Sequence, residues 1–218
     1  MRFHPYPEGI LSGELAPVLV PSIYRNYSVD LPSRLAWFTP DTAVALEKLR
    51  EQVSHAGGTL YLSDGFRSEL DQARARFDYL TGQGRYAERE SLIRMFPLLR
   101  GYVACNNGRG KKAFSPEPGG SMHEAGRAID VDMDPARLGM DQRTFADIAH
   151  ACGWRDIVHD NFGNPNRVDV REEWHWEFPG PFLAIYEQAL AETGSQRHAY
   201  REMTRRAIAD IKAGGDPQ

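Results

Sequence analysis

The sequence predicts one α+β domain in which a small, mainly antiparallel sheet is flanked by helices. Helical periodicity occurs before, between and after short strand-like segments, without the regular alternation of strand and helix that builds a parallel sheet. The chain is 41% hydrophobic and 26% charged, which is ordinary for a soluble globular domain. Its 218 residues suit one substantial core, so we expect residues 1–218 to form a single domain.

Prolines and helix-capping residues define the first elements. Residues 1–38 contain five prolines and are expected to be irregular and to wrap the domain surface. Thr39 followed by Pro40 predicts a helix start, because threonine is a favoured cap and proline is favoured in the first turn. Apolar residues continue at helical spacing, and Gly57 and Gly58 end the helix.

The middle of the chain is predicted to be helical and then irregular. Residues 59–62 predict a strand, and Ser68 is expected to cap a helix over 69–80. A second helix is predicted over 88–96. Four glycines and two prolines within 106–120 predict a long loop, and loops of that length are often functional.

Strands and helices follow one another again in the C-terminal half. We predict a strand over 128–133, a helix over 141–151 and a strand over 154–158. The last strand is expected within 168–178. Two helices over 181–213 complete the domain, and the apolar stripe of the second is expected to pack in the core.

Charge and composition narrow the possible partners. The net charge of −4 argues against nucleic acid as the main partner. No apolar run approaches the roughly 18 residues that a membrane span needs. The pattern of a secretory signal peptide is also not seen. Cys105 and Cys152 are the only cysteines; they can pair once at most, and we expect both to be small buried residues.

Two histidines and an aspartate form the pattern with the most chemical content. His123 precedes a strand-like segment that contains Asp130, and His175 lies in the last predicted strand. If the two strands are neighbours, these side chains can fill three positions of a tetrahedral zinc ion and leave the fourth for water. Asp132 and Asp134 are rival ligands, and Asp132 shares a strand face with Asp130 by the period of two.

A carboxylate just upstream of His175 can serve as general base for a zinc-bound water. Two adjacent residues qualify, Glu172 and Glu173. Strict strand alternation places Glu173 on the face of His175, whereas Glu172 needs a bulge or a strand end to reach it. The residues alone leave both glutamates open.

Three segments, in order along the chain, resemble the LAS metallopeptidases. They are Asp-Gly-Phe-Arg-Ser at 64–68 with Gln72 after it, Ser-x-His-x-x-Gly-x-Ala-x-Asp at 121–130, and Glu-x-x-His at 172–175. This family contains the zinc D-alanyl-D-alanine carboxypeptidases and dipeptidases, including the vancomycin-resistance enzymes, and hedgehog signalling domains share its fold. The resemblance therefore implies a hedgehog/D-Ala-D-Ala peptidase-like fold.

The same resemblance implies a role for each site residue. One zinc ion is expected at His123, Asp130 and His175, with Glu172 rather than Glu173 as the general base. Arg67 is expected to stabilise the oxyanion of the tetrahedral intermediate, a task that suits a planar cationic fork.

Ser121 and Gln72 are expected, from the resemblance, to help bind the substrate. A structural turn at Ser121 and a helix-surface position for Gln72 are the alternatives. Residues 73–120 exceed the link expected in a compact carboxypeptidase. They are expected to form a helical and loop insertion over the cleft.

The family acts on bacterial cell-wall peptides that contain D-amino acids. The expected function is zinc-dependent hydrolysis of a peptidoglycan stem peptide, of D-Ala-D-Ala carboxypeptidase type, in the periplasm or cell wall. One alternative is an endopeptidase that cleaves a cross-link or, like phage lysins, the L-Ala–D-Glu bond, including as a secreted effector. Another is a non-catalytic zinc-containing binding module. Glu172 favours the carboxypeptidase, because the lysins often use aspartate as base.

Overall fold

The computed structural model describes residues 15–21, 33–104, 115–157 and 172–213. The strands are β1 (Ala16–Pro21), β2 (Ser33–Phe38), β3 (Leu62–Asp64), β4 (Ala128–Val131) and β5 (His175–Glu177). The helices are α1 (Pro40–His55), α2 (Glu69–Gly82), α3 (Tyr86–Met95), α4 (Pro135–Leu138), α5 (Gln142–Ala151), α6 (Leu183–Thr193) and α7 (Gln196–Ala213). All strand pairs are antiparallel, in one sheet of order β1-β2 and another of order β3-β4-β5. The predicted α+β class is confirmed.

A bulge in β3 sets which side chains face each other in the three-stranded sheet. Asp130 in the central strand lies opposite His175 of β5 and opposite Asp64 of β3. The register shifts between Leu62 and Asp64, so that one residue of β3 has no counterpart in β4. Leu62 therefore faces the hydrophobic core, and Asp64, two residues later, lies on the face of Asp130.

The hydrophobic core lies on one face of this sheet. Ile129, Val131 and Trp176 pack there against apolar residues of β1, β2, α1 and α5. Trp176 meets Phe145 of α5 edge to face, with ring centroids 5.2 Å apart. Cys152 is a buried free thiol at the edge of this core.

Two further clusters lie outside this core. Helices α6 and α7 pack over Met122 and Ala128, and they close one end of the opposite sheet face. Helices α2 and α3 share a separate cluster of buried residues, namely Ala73, Phe77, Tyr79, Leu80, Leu92 and Leu99. The predicted position of residues 73–120 over the cleft stays a prediction, because residues 105–114 lie outside the described residues.

The expectation that residues 1–38 are irregular is wrong for the part that the structure describes. Strands β1 and β2 pair from Ala16↔Phe38 to Pro21↔Ser33. In β1 the side chain of Val18 is buried, whereas that of Leu19 is 57% exposed, as strand alternation requires. Both strands are edges, where proline is tolerated because one side of the strand makes no ladder bonds.

Several predicted boundaries shift by a few residues. The strand predicted over 59–62 is β3, at Leu62–Asp64, and the helix predicted over 88–96 begins at Tyr86. Where a strand was expected over 154–158, Arg155 forms only an isolated bridge with Glu177. Part of the predicted segment 168–178 and Cys105 lie outside the described residues.

Candidate metal centre

Three side chains converge on the face of the sheet opposite the core. His123 Nε2 lies 3.2 Å from Asp130 Oδ1 and 3.2 Å from His175 Nδ1, and the latter two atoms are 2.9 Å apart. All three residues are buried. A tetrahedral zinc ion with bonds of about 2.0–2.1 Å holds its ligand atoms about 3.3 Å apart, close to this triangle. The group can therefore hold one metal ion.

The outer nitrogen of each imidazole has an acceptor. His123 Nδ1 lies 2.6 Å from the Gly65 carbonyl oxygen, which only accepts, so Nδ1 carries a proton and Nε2 faces the group. His175 Nε2 lies 3.1 Å from Glu177 Oε1, which leaves Nδ1 facing the group. Two imidazoles so oriented and one carboxylate form a donor set typical of catalytic zinc sites.

A tight turn aims His123 at the sheet. The N–H groups of Glu124 and Gly126 donate to the carbonyls of Ser121 and His123, at 2.9 and 3.1 Å. Gly126 has a φ of +65°, and a Cβ at this position would lie only 2.8 Å from Leu15 Cδ2. The glycine of the 121–130 motif is therefore required by backbone conformation and by space.

Charge is concentrated at this group. Burial alone would raise the pKa of Asp130, but the charges and hydrogen bonds of His123 and His175 hold that pKa well below its usual value. Burial opposes the protonation of His175, yet hydrogen bonds to Asp130 and Glu177 raise its pKa to about 10. In the metal-free protein His175 is therefore an imidazolium, and a metal ion must displace its proton in order to bind.

The two rival aspartates have other partners. Strand β4 ends at Val131, and Asp132 turns to form an ion pair with Arg137 of α4. Asp134 caps α4, because its Oδ1 accepts from the Ala136 N–H at 3.0 Å. The structure therefore brings Asp130, and neither rival, together with the two histidines.

Arg67 lies beside this group and is held from two sides. Its Nε donates to Asp64 Oδ2 at 2.6 Å, its Nη1 donates to Gln72 Oε1 at 3.2 Å, and its Nη2 lies 3.4 Å from Asp130 Oδ2. Burial alone would lower the pKa of Arg67, but Asp64 and Asp130 raise it above its usual value. The guanidinium therefore stays charged next to the metal group.

Gln72 lies inside the protein, so the alternative of a helix-surface position is wrong. Its side chain is fully buried, and Nε2 donates to Ser115 Oγ at 3.0 Å and to the Pro116 carbonyl at 2.9 Å. Both amide protons are used in these bonds, and Oε1 accepts from Arg67. These contacts support Arg67, and a direct contact with substrate stays a prediction.

Ser121 is buried at the start of the turn that carries His123. Its Oγ accepts from the His123 N–H at 3.4 Å, and its own N–H donates to Glu124 Oε2 at 3.2 Å. These bonds fit the structural alternative, and the predicted role in substrate binding stays a prediction.

The two adjacent glutamates lie in a turn rather than in a strand. The His175 N–H donates to the Glu172 carbonyl at 2.8 Å, and β5 begins only at His175. Strand alternation therefore does not decide which glutamate faces the metal group. Glu173 is exposed, whereas burial raises the pKa of the partly buried Glu172 to about 7; the charge of His175 lowers this pKa and that of Asp130 raises it, both by less than burial does.

The metal-ligand triad and its surroundings lie within a segment that matches a known family. Residues 36–181, well over half of the chain, match the model of the VanY family, described as D-alanyl-D-alanine carboxypeptidase. The chain belongs to the VanY family. The predicted resemblance and the predicted class of enzyme, a D-Ala-D-Ala carboxypeptidase-type peptidase, are thereby confirmed. A search of curated proteins found no match to this VanY-family chain.

Several solved structures align with this VanY-family chain at low sequence identity. A variant of the vancomycin resistance D,D-pentapeptidase VanY from a VanB-type resistance cassette, in complex with Zn(II), aligns at 15% identity, 79% of this chain, 86% of that chain and a TM-score of 0.46. The LD-carboxypeptidase LdcB aligns at 17% sequence identity. The alignment covers 91% of this chain and 80% of that chain, with a TM-score of 0.49. VanYB in complex with D-alanine-D-alanine aligns at 18% sequence identity. The alignment covers 84% of this chain and 95% of that chain, with a TM-score of 0.47.

Sequence reasoning missed two carboxylates of this VanY-family site. Asp64 holds Arg67, and Glu177 holds His175. For Glu177 the available signal was its spacing: a carboxylate two residues after His175 in one strand lies on the same face. For Asp64 the three-residue separation from Arg67 was visible, but its face depends on the bulge in β3.

Among the described residues, none of the helices has the length and apolar character that crossing a bilayer requires.

Proposed function

We propose that this chain is a zinc-dependent D,D-carboxypeptidase that hydrolyses the terminal D-Ala-D-Ala bond of peptidoglycan stem peptides. The convergence of His123, Asp130 and His175 into one buried group is the observation that carries this proposal. Membership of the VanY family supports the substrate class. Such a substrate lies in the cell wall, which is therefore the proposed place of action.

Zinc held by these three residues would activate a water molecule, by lowering its pKa to about 7, and polarise the scissile carbonyl. The protein orients both imidazoles for this task, through Gly65 at His123 and through Glu177 at His175. Asp130 and His175 are held by paired strands, and His123 is held by a hydrogen-bonded turn.

Glu172 is the proposed general base and acid. Burial raises the pKa of its carboxyl to about 7, so that it is divided between both protonation states near neutral pH. It can therefore take the proton of the attacking water and return a proton to the leaving amine. Glu173, which is exposed, is not proposed for this role.

Arg67 is the proposed donor to the oxyanion that forms at the scissile carbonyl. Its Nη2 lies 3.4 Å from a carboxylate oxygen of the metal ligand Asp130, so it lies beside the proposed reaction centre. Asp64 and Gln72 fix its fork before substrate arrives, and preorganised donors of this kind stabilise transition-state charge most effectively.

The test is to measure bound zinc and then to analyse the products from a purified stem pentapeptide by mass spectrometry. The wild type should release one terminal D-alanine. Glu172→Gln should lower kcat by about 10²–10⁴-fold, because it removes both proton transfers. The matched control is Glu173→Gln at the adjacent exposed position, which should retain wild-type turnover.

Each alternative gives a different result in this experiment. Release of a larger peptide would indicate an endopeptidase. Zinc binding without any cleavage would indicate a binding module. Loss of turnover in Glu173→Gln but not in Glu172→Gln would contradict the assignment of the base.

A further inference from the structure

We propose that Glu177 is a positioning residue that orients His175 and so sets the metal affinity of the site. This inference rests on the proposed metal site, but it assigns a role to a residue outside the ligand set. The Glu177 carboxylate oxygen Oε1 lies 3.1 Å from His175 Nε2, on the side of the ring that faces away from His123 and Asp130.

The backbone holds Glu177 in place from both sides. Strand β5 pairs Glu177 with Ala128 and His175 with Asp130 in β4, so both β5 side chains lie on the metal face. On the other edge, the Arg155 N–H donates to the Glu177 carbonyl at 2.7 Å, and the Glu177 N–H donates to the Arg155 carbonyl at 2.8 Å. The backbone that carries this carboxylate is therefore hydrogen-bonded on both edges of β5.

Burial makes this carboxylate different from an ordinary surface acid. Glu177 is fully buried, and among the described residues its carboxylate interacts with the side chains of His175 and Tyr200. A buried carboxylate without a cation or hydrogen-bond donor is strongly destabilising, and His175 Nε2 supplies one such partner. The covering side includes the buried Tyr200 of α7, which neighbours the carboxylate.

The position also argues against a direct role with substrate. Helices α6 and α7 pack over this end of the sheet face, around Ala128 and Tyr200. Glu172, in contrast, is only partly buried. Glu177 therefore acts through the imidazole ring, and Glu172 is left as the carboxylate that can meet substrate.

The consequence concerns the tautomer of His175. With Glu177 accepting from Nε2–H, the nitrogen that faces the metal group is Nδ1, and it can be deprotonated to bind a cation. Without this acceptor the ring can place its proton on Nδ1 or rotate away from the group. Loss of a carboxylate that orients a metal-binding histidine typically lowers metal affinity about 10–100-fold.

The experiment measures the zinc dissociation constant of metal-free protein by competition with a chelator. Glu177→Met removes the acceptor at similar volume and should weaken zinc binding about 10–100-fold. Glu177→Gln keeps an acceptor oxygen and removes the charge, so its loss should be smaller. The control Glu173→Gln, an exposed carboxylate equally close in sequence, should bind zinc as the wild type does.

Three further readouts separate positioning from simple structural support. At saturating zinc both Glu177 variants should regain kcat to within a few-fold, because a positioning residue acts only through His175. The visible absorption of the Co(II)-substituted protein should change in Glu177→Met, because the orientation of one ligand changes. The thermal unfolding of each metal-free variant reports whether the fold is kept.

Wild-type affinity in both Glu177 variants would overturn the inference, and so would a loss of kcat that saturating zinc does not restore. A failure of the proposed function would give a different result from a failure of this inference. A wild-type protein that binds zinc but cleaves no stem peptide would refute the carboxypeptidase, whereas weakened zinc binding in the variants would still support the role of Glu177.

Discussion

The two faces of the β3-β4-β5 sheet differ in the residues that they bury, although the same three short strands form both: one face is apolar and the other is charged. On the core face, the side chains of Leu62, Ile129 and Trp176 are buried among apolar neighbours. On the metal face, Asp130 and His175 are equally buried but are surrounded by charged or hydrogen-bonding partners.

The two faces place different requirements on the sequence. The core face requires volume and apolar character, and several residue types of similar size can supply these. The metal face requires particular atoms at particular distances, because a buried charge without its partner is strongly destabilising. Adjacent residues of one strand therefore contribute to stability and to chemistry separately, which substitutions can test.

The largest effect is expected from Asp130→Ala on the metal face. Removing one of three metal ligands should lower zinc affinity by more than the roughly 100-fold upper range of an orienting residue, and turnover should be lost. Chelator competition on metal-free protein measures this. Asp132→Ala is the matched control two residues along, because Asp132 pairs with Arg137 instead. Equal losses in both variants would contradict the assignment of Asp130.

Arg67→Lys should give the next largest effect, confined to catalysis. Lysine keeps the charge but cannot reproduce the contacts of the guanidinium with Asp64, Gln72 and Asp130. We expect kcat to fall about 10²–10³-fold while zinc affinity stays close to wild type. Arg74→Lys serves as control, because Arg74 lies in α2, just after Arg67 in the chain, and pairs with Asp71. A large change in zinc affinity would show that Arg67 supports the metal ligands rather than the reaction.

Ile129→Ala tests the core face at the position next to Asp130. Ile129 is fully buried, so its truncation should lower the free energy of unfolding by about 2–5 kcal/mol. Urea unfolding of the metal-free protein measures this loss. The zinc affinity of the folded variant should stay unchanged, because no metal-face atom is altered. A parallel loss of affinity would show that the two faces are coupled.

Measured per pH unit, the smallest effect is a gradual dependence of zinc affinity on pH. His175 has a raised pKa of about 10 in the metal-free protein, so it is protonated at neutral pH and must lose that proton to bind zinc. Zinc affinity should therefore rise about tenfold per pH unit between roughly pH 6 and 9. Calorimetric titrations across that range measure the slope. A flat profile would contradict a protonated His175.

The sequence predicted the two histidines and a nearby aspartate because strand parity and the 121–130 and 172–175 motifs depend on local spacing. Spacing alone did not decide between Asp130 and Asp132, and Asp130 was expected only from the family resemblance. That choice depends on where β4 ends and on Arg137, which comes from the next helix. Strand alternation likewise could not decide which of Glu172 and Glu173 faces the metal group, because both precede β5 in a turn.

Other differences come from tertiary contacts that spacing does not reveal. Gln72 was open as a helix-surface residue, but the segment at Ser115 and Pro116 packs over it and buries it. Strand β1 was not predicted because its prolines suggested irregular chain, whereas an edge strand accepts them. The α+β class and α7, at Gln196–Ala213, followed directly from periodicity.

The bulge in β3 also determines where this strand tolerates a change in length. Ser63 is the residue without a counterpart in β4, since Leu62 lies opposite Val131 and Asp64 opposite Asp130. A chain that lacked Ser63 could keep both pairings in a regular ladder, with Leu62 on the core face and Asp64 on the metal face. Ser63 is therefore the one position in β3 at which we expect the deletion of a residue to leave both faces of the sheet unchanged.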